Sequence, residues 1–233
     1  GDPGPSGRLD AIDFITISST GNATDFGDLT IARAHGAGIS NQTRCMMVGG
    51  SASSGNQDRI DFVTTATTGN AVDFGNLIEA TEHLCATSSP TRGIIAGGNP
   101  GVANRIQFIT ITTSGNAEDF GDLQSLGDVM MGGALSSPVR AIFAGNYTNK
   151  IESLTIATKG NSSNFGTMTT SRGCPMSNSD SVRGVISGGY TPGSTNSMEY
   201  IKIMTQGNGV DFGDLTNDTA NAFDTVSSAH GGL

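Results

Sequence analysis

The chain has 233 residues, 35% hydrophobic and 14% charged, with 12 Lys and Arg against 21 Asp and Glu and a formal net charge of -9. With no Lys/Arg cluster, that acidity excludes a nucleic-acid backbone or an anionic membrane surface as partner, because either would be repelled. No apolar run approaches the roughly 18 residues that cross a bilayer, and the start lacks the charged and apolar regions of a signal peptide. The sequence is therefore expected to be soluble and mature, or a fragment.

In chain order, Gly1-Asp2-Pro3-Gly4-Pro5-Ser6-Gly7 scans as two Gly-X-Y triplets. Two readings stand: the end of a collagen-like shaft, which would imply a homotrimer, or a strand-to-strand loop like the one containing Asn99-Pro100-Gly101. Ile12 to Ile17 alternates β-branched and polar residues and reads as a strand. It is followed by Gly21-Asn22-Ala23-Thr24-Asp25-Phe26-Gly27, closed by Leu29. This phrase returns at Gly69, Gly115, Gly160 and Gly207, with Phe74, Phe120, Phe165 and Phe212 at one offset and Leu77, Leu123, Met168 and Leu215 closing the copies. Strands equivalent to the first precede each copy at Ile60 to Thr65, Ile106 to Ile111, Ile151 to Ile156 and Met198 to Ile203. An Arg opens a further strand in four copies, at Arg44 to Gly50, Arg92 to Gly98, Arg140 to Gly145 and Arg183 to Gly189, and His230 stands at that offset in the fifth. The stretch between closing Leu and Arg, such as Thr30 to Thr43, holds one more strand and its turn.

Each repeat thus supplies four strands, and the 34 glycines and absence of long amphipathic periods fit an all-β chain. A lone four-stranded sheet cannot bury both faces, so the sheets must stack; the period is too long for a β-solenoid, and radial stacking gives a five-bladed β-propeller of antiparallel blades. The whole of 1–233 is one domain, with 1–7 as a linker end on the shaft reading. Four intervals from Gly21 to Gly207 use 186 residues and leave 47, one more repeat. The ring is therefore expected to close by pairing its ends, the last blade taking an inner strand from 219–228 and outer strands from 9–30.

In the motif, Gly-Asn reads as a tight turn with positive φ. Asp25, Asp73, Asp119, Asn164 and Asp211 read as Asx-turn acceptors, with calcium as the rival because Asp25/Asp28, Asp119/Asp122 and Asp211/Asp214 pair carboxylates. The phenylalanines are expected between blades. The recurrent Arg either bridges blades through acids or carbonyls, or lines one face. Cys45, Cys85 and Cys174 cannot pair fully and read as structural thiols. His83 and Cys85 form a His-x-Cys step without a matching pair, so neither a metal site nor a cofactor is expected.

An apolar strand ending in Gly-Gly, as in Ile94-Ile95-Ala96-Gly97-Gly98, then a variable loop, a second apolar strand and a closing aromatic resemble kelch-type propeller repeats. Phe replaces the usual kelch Trp, and the unit at residues 21–29 and 115–123 looks like the kelch-like repeats of tail-fibre and other virion proteins of bacteriophages, including those of marine cyanobacteria. The resemblance covers nearly the whole chain. It implies a virion-associated module that attaches to a host surface glycan or protein through propeller-face loops. A structural decoration or assembly module docking on other virion proteins, and an extracellular lectin unrelated to phage, are the alternatives.

No Gly-x-Ser-x-Gly elbow, phosphate loop or His-Glu-x-x-His occurs, and three histidines at unrelated repeat positions form no constellation, so no enzyme is expected. The loops after Gly-Gly differ most among copies: Ser51 to Gln57, Asn99 to Ala103, Asn146 to Thr148 and Tyr190 to Thr195. Tyr147 and Tyr190 are candidates to stack on sugar rings, with Asn99 and Asn146 to hydrogen-bond hydroxyls.

Overall fold

In the computed structural model, residues 7–100, 104–126 and 132–219 are described. They contain strands and turns and no helix. Four antiparallel four-stranded sheets follow one another in a propeller-like ring. The first blade comprises Ala37–Ser40, Arg44–Val48, Arg59–Thr64 and Val72–Asn76; the second, Cys85–Ser88, Arg92–Ala96, Arg105–Thr110 and Glu118–Asp122. The third comprises Gly133–Ser136, Arg140–Ala144, Thr148–Thr155 and Ser163–Arg172; the fourth, Met176–Ser179, Arg183–Ser187, Gly193–Lys202 and Val210–Thr219. Ahead of them, Ala11–Phe14 pairs with Thr24–Asp28 as a two-stranded sheet. The inner strand expected at 219–228, His230 and the Gly1 to Ser6 triplet region lie outside the described residues.

Three cores lie between blades. Phe74 and Leu77 of the first blade meet Ile95, Ile109 and Ile111 of the second. Phe120 and Leu123 of the second meet Phe143, Leu154 and Ile156 of the third, and Phe165 and Met168 of the third meet Ile186, Ile201 and Ile203 of the fourth. Strand alternation makes this work: in the second blade Ile94 faces one neighbour and Ile95 the other. Phe74, Phe120 and Phe165 therefore sit between blades as their recurrence suggested, whereas Phe212 is 49% exposed.

The positive-φ reading of Gly-Asn holds only in part. The glycine of the step has positive φ in two copies, 155° at Gly69 and 154° at Gly160, and the asparagines lack it; positive φ recurs more regularly at the glycine after Phe, with 145° at Gly27, 148° at Gly75 and Gly121 and 130° at Gly213. Register explains why. In every copy the outer pair carries a β-bulge at the Phe: Ile60 opposes Gly75 and Asp61 opposes Asp73, leaving Phe74 between them. The bulge frees the Phe carbonyl, and the next blade takes it. Gly115 N–H donates to Phe74 O at 2.8 Å, Ala117 N–H to Asn76 O at 2.8 Å, and Asn116 Oδ1 accepts from Asn76 N–H at 3.0 Å. The same three bonds join Phe26 and Asp28 to Gly69, Asn70 and Ala71, Phe120 and Asp122 to Gly160, Asn161 and Ser162, and Phe165 and Thr167 to Gly207, Asn208 and Gly209. The amide-accepting side chain is thus the Asn of the neighbouring blade, whereas the residue before Phe, as at Asp25, Asp73 and Asp119, is exposed on the outer strand. Asx and Ser turns do occur, but before the recurrent Arg, at Asn41, Ser89, Ser137 and Asp180.

That Arg bridges blades through carbonyls. Arg44 Nη1 donates to Ile111 O at 2.8 Å, Arg92 Nη1 to Ile156 O at 2.9 Å and Arg140 Nη1 to Ile203 O at 2.7 Å. Each guanidinium also covers an aromatic ring of the outer strands, such as Phe62 under Arg44 and Phe108 under Arg92. Two further inter-blade devices were not anticipated. A buried acid or amide of the third strand accepts from the residue after the previous blade's closing Leu or Met: Thr30 N–H on Asp61, Ile78 N–H on Gln107, Gln124 N–H on Glu152, Thr169 N–H on Glu199. Arg33 pairs with Asp61 at 3.0 Å and Arg172 with Glu199 at 2.8 Å, all fully buried. Along the inner strands a serine ladder runs from Ser179 Oγ to Ser136 O, Ser136 Oγ to Ser88 O and Ser88 Oγ to Ser40 O.

Candidate ligand-binding surface

Each second strand leaves its blade at Gly-Gly, or at Gly145-Asn146 in the third blade, at the end where the inner strand begins, because the two are antiparallel with Ala37 opposite Val48. The variable loops therefore cluster with the segments that lead into the inner strands, and isolated bridges tie the two together: Ala34 to Ser51, Glu82 to Asn99, Gly173 to Tyr190. Ser51–Ala52 with Gly55–Asn56, and Tyr190–Thr191 with Gly193–Ser194, form small hairpins. Residues 101–103 of the second-blade loop lie outside the described residues.

Of the four candidate binding residues, three come together. The Tyr147 and Tyr190 rings meet edge to face at 6.4 Å between the third and fourth blades, and both are exposed, at 57% and 43%. Asn146 precedes Tyr147, both with left-handed backbone at φ 62° and 59°. This turn brings the Tyr147 ring over Gly173, where any added Cβ would lie 2.7 Å from the ring. The Asn146 amide is committed to the scaffold, donating to Leu126 O at 2.5 Å. Asn99 stands apart in the second blade: its backbone bridges Glu82 and its carbonyl accepts from Asn56 Nδ2 at 2.8 Å.

The thiol of Cys174 lies against the Tyr147 hydroxyl. Cys174 raises the Tyr147 phenol above its ordinary value, and burial raises the Cys174 thiol. The structural-thiol reading holds for Cys85, buried in the core with Sγ on Ala96 O and its thiol pushed up to about 12 by burial, but Cys45 is exposed.

Sequence reasoning missed what surrounds His83. His35 and His83 are not at unrelated positions; they stand at equivalent points of consecutive repeats, as does Cys174, with φ of 58°, 57° and 51°. His83 N–H donates to His35 O at 2.9 Å, and the two imidazoles overlap at 4.3 Å between centroids. Glu82 Oε2 lies 3.3 Å from His35 Nδ1 and 3.8 Å from His83 Nε2. Burial, then the adjacent His35, hold the His83 imidazole below its ordinary value against the pull of Glu82. Cys85, two positions on, turns into the core and takes no part. The signal was available in the repeat alignment: His35 and His83 share a column.

No protein-family model matches the chain, and no curated protein matches it.

Proposed function

We propose that this chain is a non-enzymatic adhesion module of a virion, attaching to a host cell-surface glycan or protein through the loops that follow Gly-Gly. The observation that carries the reading is the Tyr147–Tyr190 pair: two exposed aromatic rings, held at 6.4 Å by left-handed turns, on loops where the repeats differ most. Exposed aromatic faces beside hydrogen-bonding groups are what sugar rings stack on. The virion assignment rests on the resemblance to phage kelch-like repeats. A glycan array and a host-cell adsorption assay, each comparing the chain with its Tyr147→Ala/Tyr190→Ala variant, test the reading. Adsorption that survives both substitutions overturns the site, and a folded chain that neither binds glycans nor adsorbs favours docking onto other virion proteins.

The ring that carries these loops is proposed to have five blades, closed between the fourth blade and the N-terminal sheet. Several of the devices that join neighbouring blades elsewhere exist there, among the described residues, as two separate halves. Phe212-Gly213-Asp214 carries the bulge, and Gly21-Asn22-Ala23 its complement. Phe212 is 49% exposed where Phe120 is 2% exposed, and Ile15 and Ile17 are 64% and 90% exposed where Ile109 and Ile111 are 2% and 0%. Asp13, equivalent to the buried Asp61 and Glu199, is exposed, and so is Arg183, equivalent to Arg44 and Arg92. The repeat's own rules join these halves to each other.

A further inference from the structure

We propose that His35, Glu82 and His83 form a binding site for a divalent transition-metal cation of the zinc class. Among the described residues they are the one group of three His, Cys, Asp or Glu side chains whose donor atoms all lie within 4.8 Å of one another. Two imidazoles and one carboxylate are a donor set that zinc and its neighbours favour over calcium or magnesium, which take oxygen ligands. The donors are close to the spacing required. Zinc at its usual bond lengths holds tetrahedral ligand atoms about 3.4 Å apart; the Glu82 Oε2 distances are 3.3 Å to His35 Nδ1 and 3.8 Å to His83 Nε2. The two imidazole donors lie within 4.8 Å of each other, and the overlapping rings have to rotate to converge on one ion.

Backbone geometry assembles the set. Glu82 and His83 are adjacent in the segment leading into the second blade, and His35 stands in the equivalent segment leading into the first, joined by the His83 N–H to His35 O bond at 2.9 Å. Both histidines hold left-handed backbone, a conformation that persists in a non-glycine residue only where the surrounding structure imposes it. The three side chains keep 19–30% of their surface exposed, so an ion can enter and water can complete its coordination. The carboxylate also offsets the cation's charge. The site lies beside Asn99, whose backbone bridges Glu82, and is independent of the adhesion reading.

The test is calorimetric titration of zinc chloride into the chelator-treated full chain near neutral pH, repeated for His35→Ala, His83→Ala and Glu82→Gln. The expected result is saturable binding of one ion per chain, weakened in each histidine variant by at least the about 10–100-fold that loss of a mere supporting residue costs. A second readout needs no variant: cobalt(II) added to the wild-type chain should give the intense visible bands of a four- or five-coordinate ion, and zinc should abolish them. Absence of saturable zinc binding, octahedral cobalt spectra alone, or unchanged affinity in folded His35→Ala and His83→Ala chains each overturns the proposal.

Discussion

Ile17→Ala is the substitution whose effect depends most on whether the ring closes. In the open arrangement Ile17 is 90% exposed, and an exposed aliphatic replaced by Ala changes stability by no more than about 0.5 kcal/mol. Its equivalents Ile111, Ile156 and Ile203 are 0–2% exposed, and truncating such a buried Ile costs about 2–5 kcal/mol through lost transfer energy and the cavity left behind. By the pattern in which Ile111 packs with Phe74 and Leu77, a closed ring places Ile17 against Phe212 and Leu215. For a chain of this size about 1 kcal/mol moves the melting temperature by 2–4 °C, so closure predicts a fall of roughly 6–12 °C for a mid-range loss of about 3 kcal/mol. Thermal unfolding of Ile17→Ala and Ile111→Ala, followed side by side by circular dichroism, reads this directly. A cycle adding Phe212→Ala should give a coupling of about 0.5–3 kcal/mol, as for residues in contact. If Ile111→Ala lowers the transition while Ile17→Ala leaves it within about 2 °C and uncoupled from Phe212, the closure argument fails.

Four further outcomes are expected. Gly121→Ala should destabilise by about 2–5 kcal/mol in urea unfolding, because the new Cβ meets the Gly160 backbone at 2.5 Å and φ is 148°, whereas Gly115→Ala, with nothing within 4 Å, should be mild. Glu199→Ala strands the buried Arg172 charge and should cost about 3–5 kcal/mol; Arg172→Thr with Glu199→Gln, the residues at the equivalent second-blade positions Thr81 and Gln107, should recover much of it. Asp180 accepts from the Arg183 and Val182 amides, which hold its carboxyl below the ordinary value of 3.8. Its folded pKa being depressed, its stabilising contribution is present above that ordinary value and lost as pH falls through the folded one. Asp180→Ser, the residue type used at Ser89 and Ser137, should remove this acid dependence, read as melting temperature against pH. In thiol labelling of the native chain, exposed Cys45 should react and Cys85, buried and poorly ionised, should not until unfolding.

What the sequence determined by itself follows from periodicity. Alternating β-branched strands, Gly-Gly exits and the Phe-Gly column mark four strands per repeat, and a sheet with two apolar faces has to stack, so the all-β propeller-like arrangement and the inter-blade phenylalanines were legible. The Arg–carbonyl bridges were among its stated options. Tertiary structure decided which atoms the motif uses. Nothing local in Gly69-Asn70 says that its amides meet the carbonyl freed by a bulge at Phe26; that bond exists only once two blades abut. Likewise Asp61 and Arg33, or His35 and His83, are ordinary surface residue types in the chain, and become a buried ion pair and an overlapping imidazole pair because stacking brings distant positions into one place. A linear pattern records that a position recurs; contact across the blade junction, which depends on twist, bulge and close backbone approach, decides what the recurring residue touches.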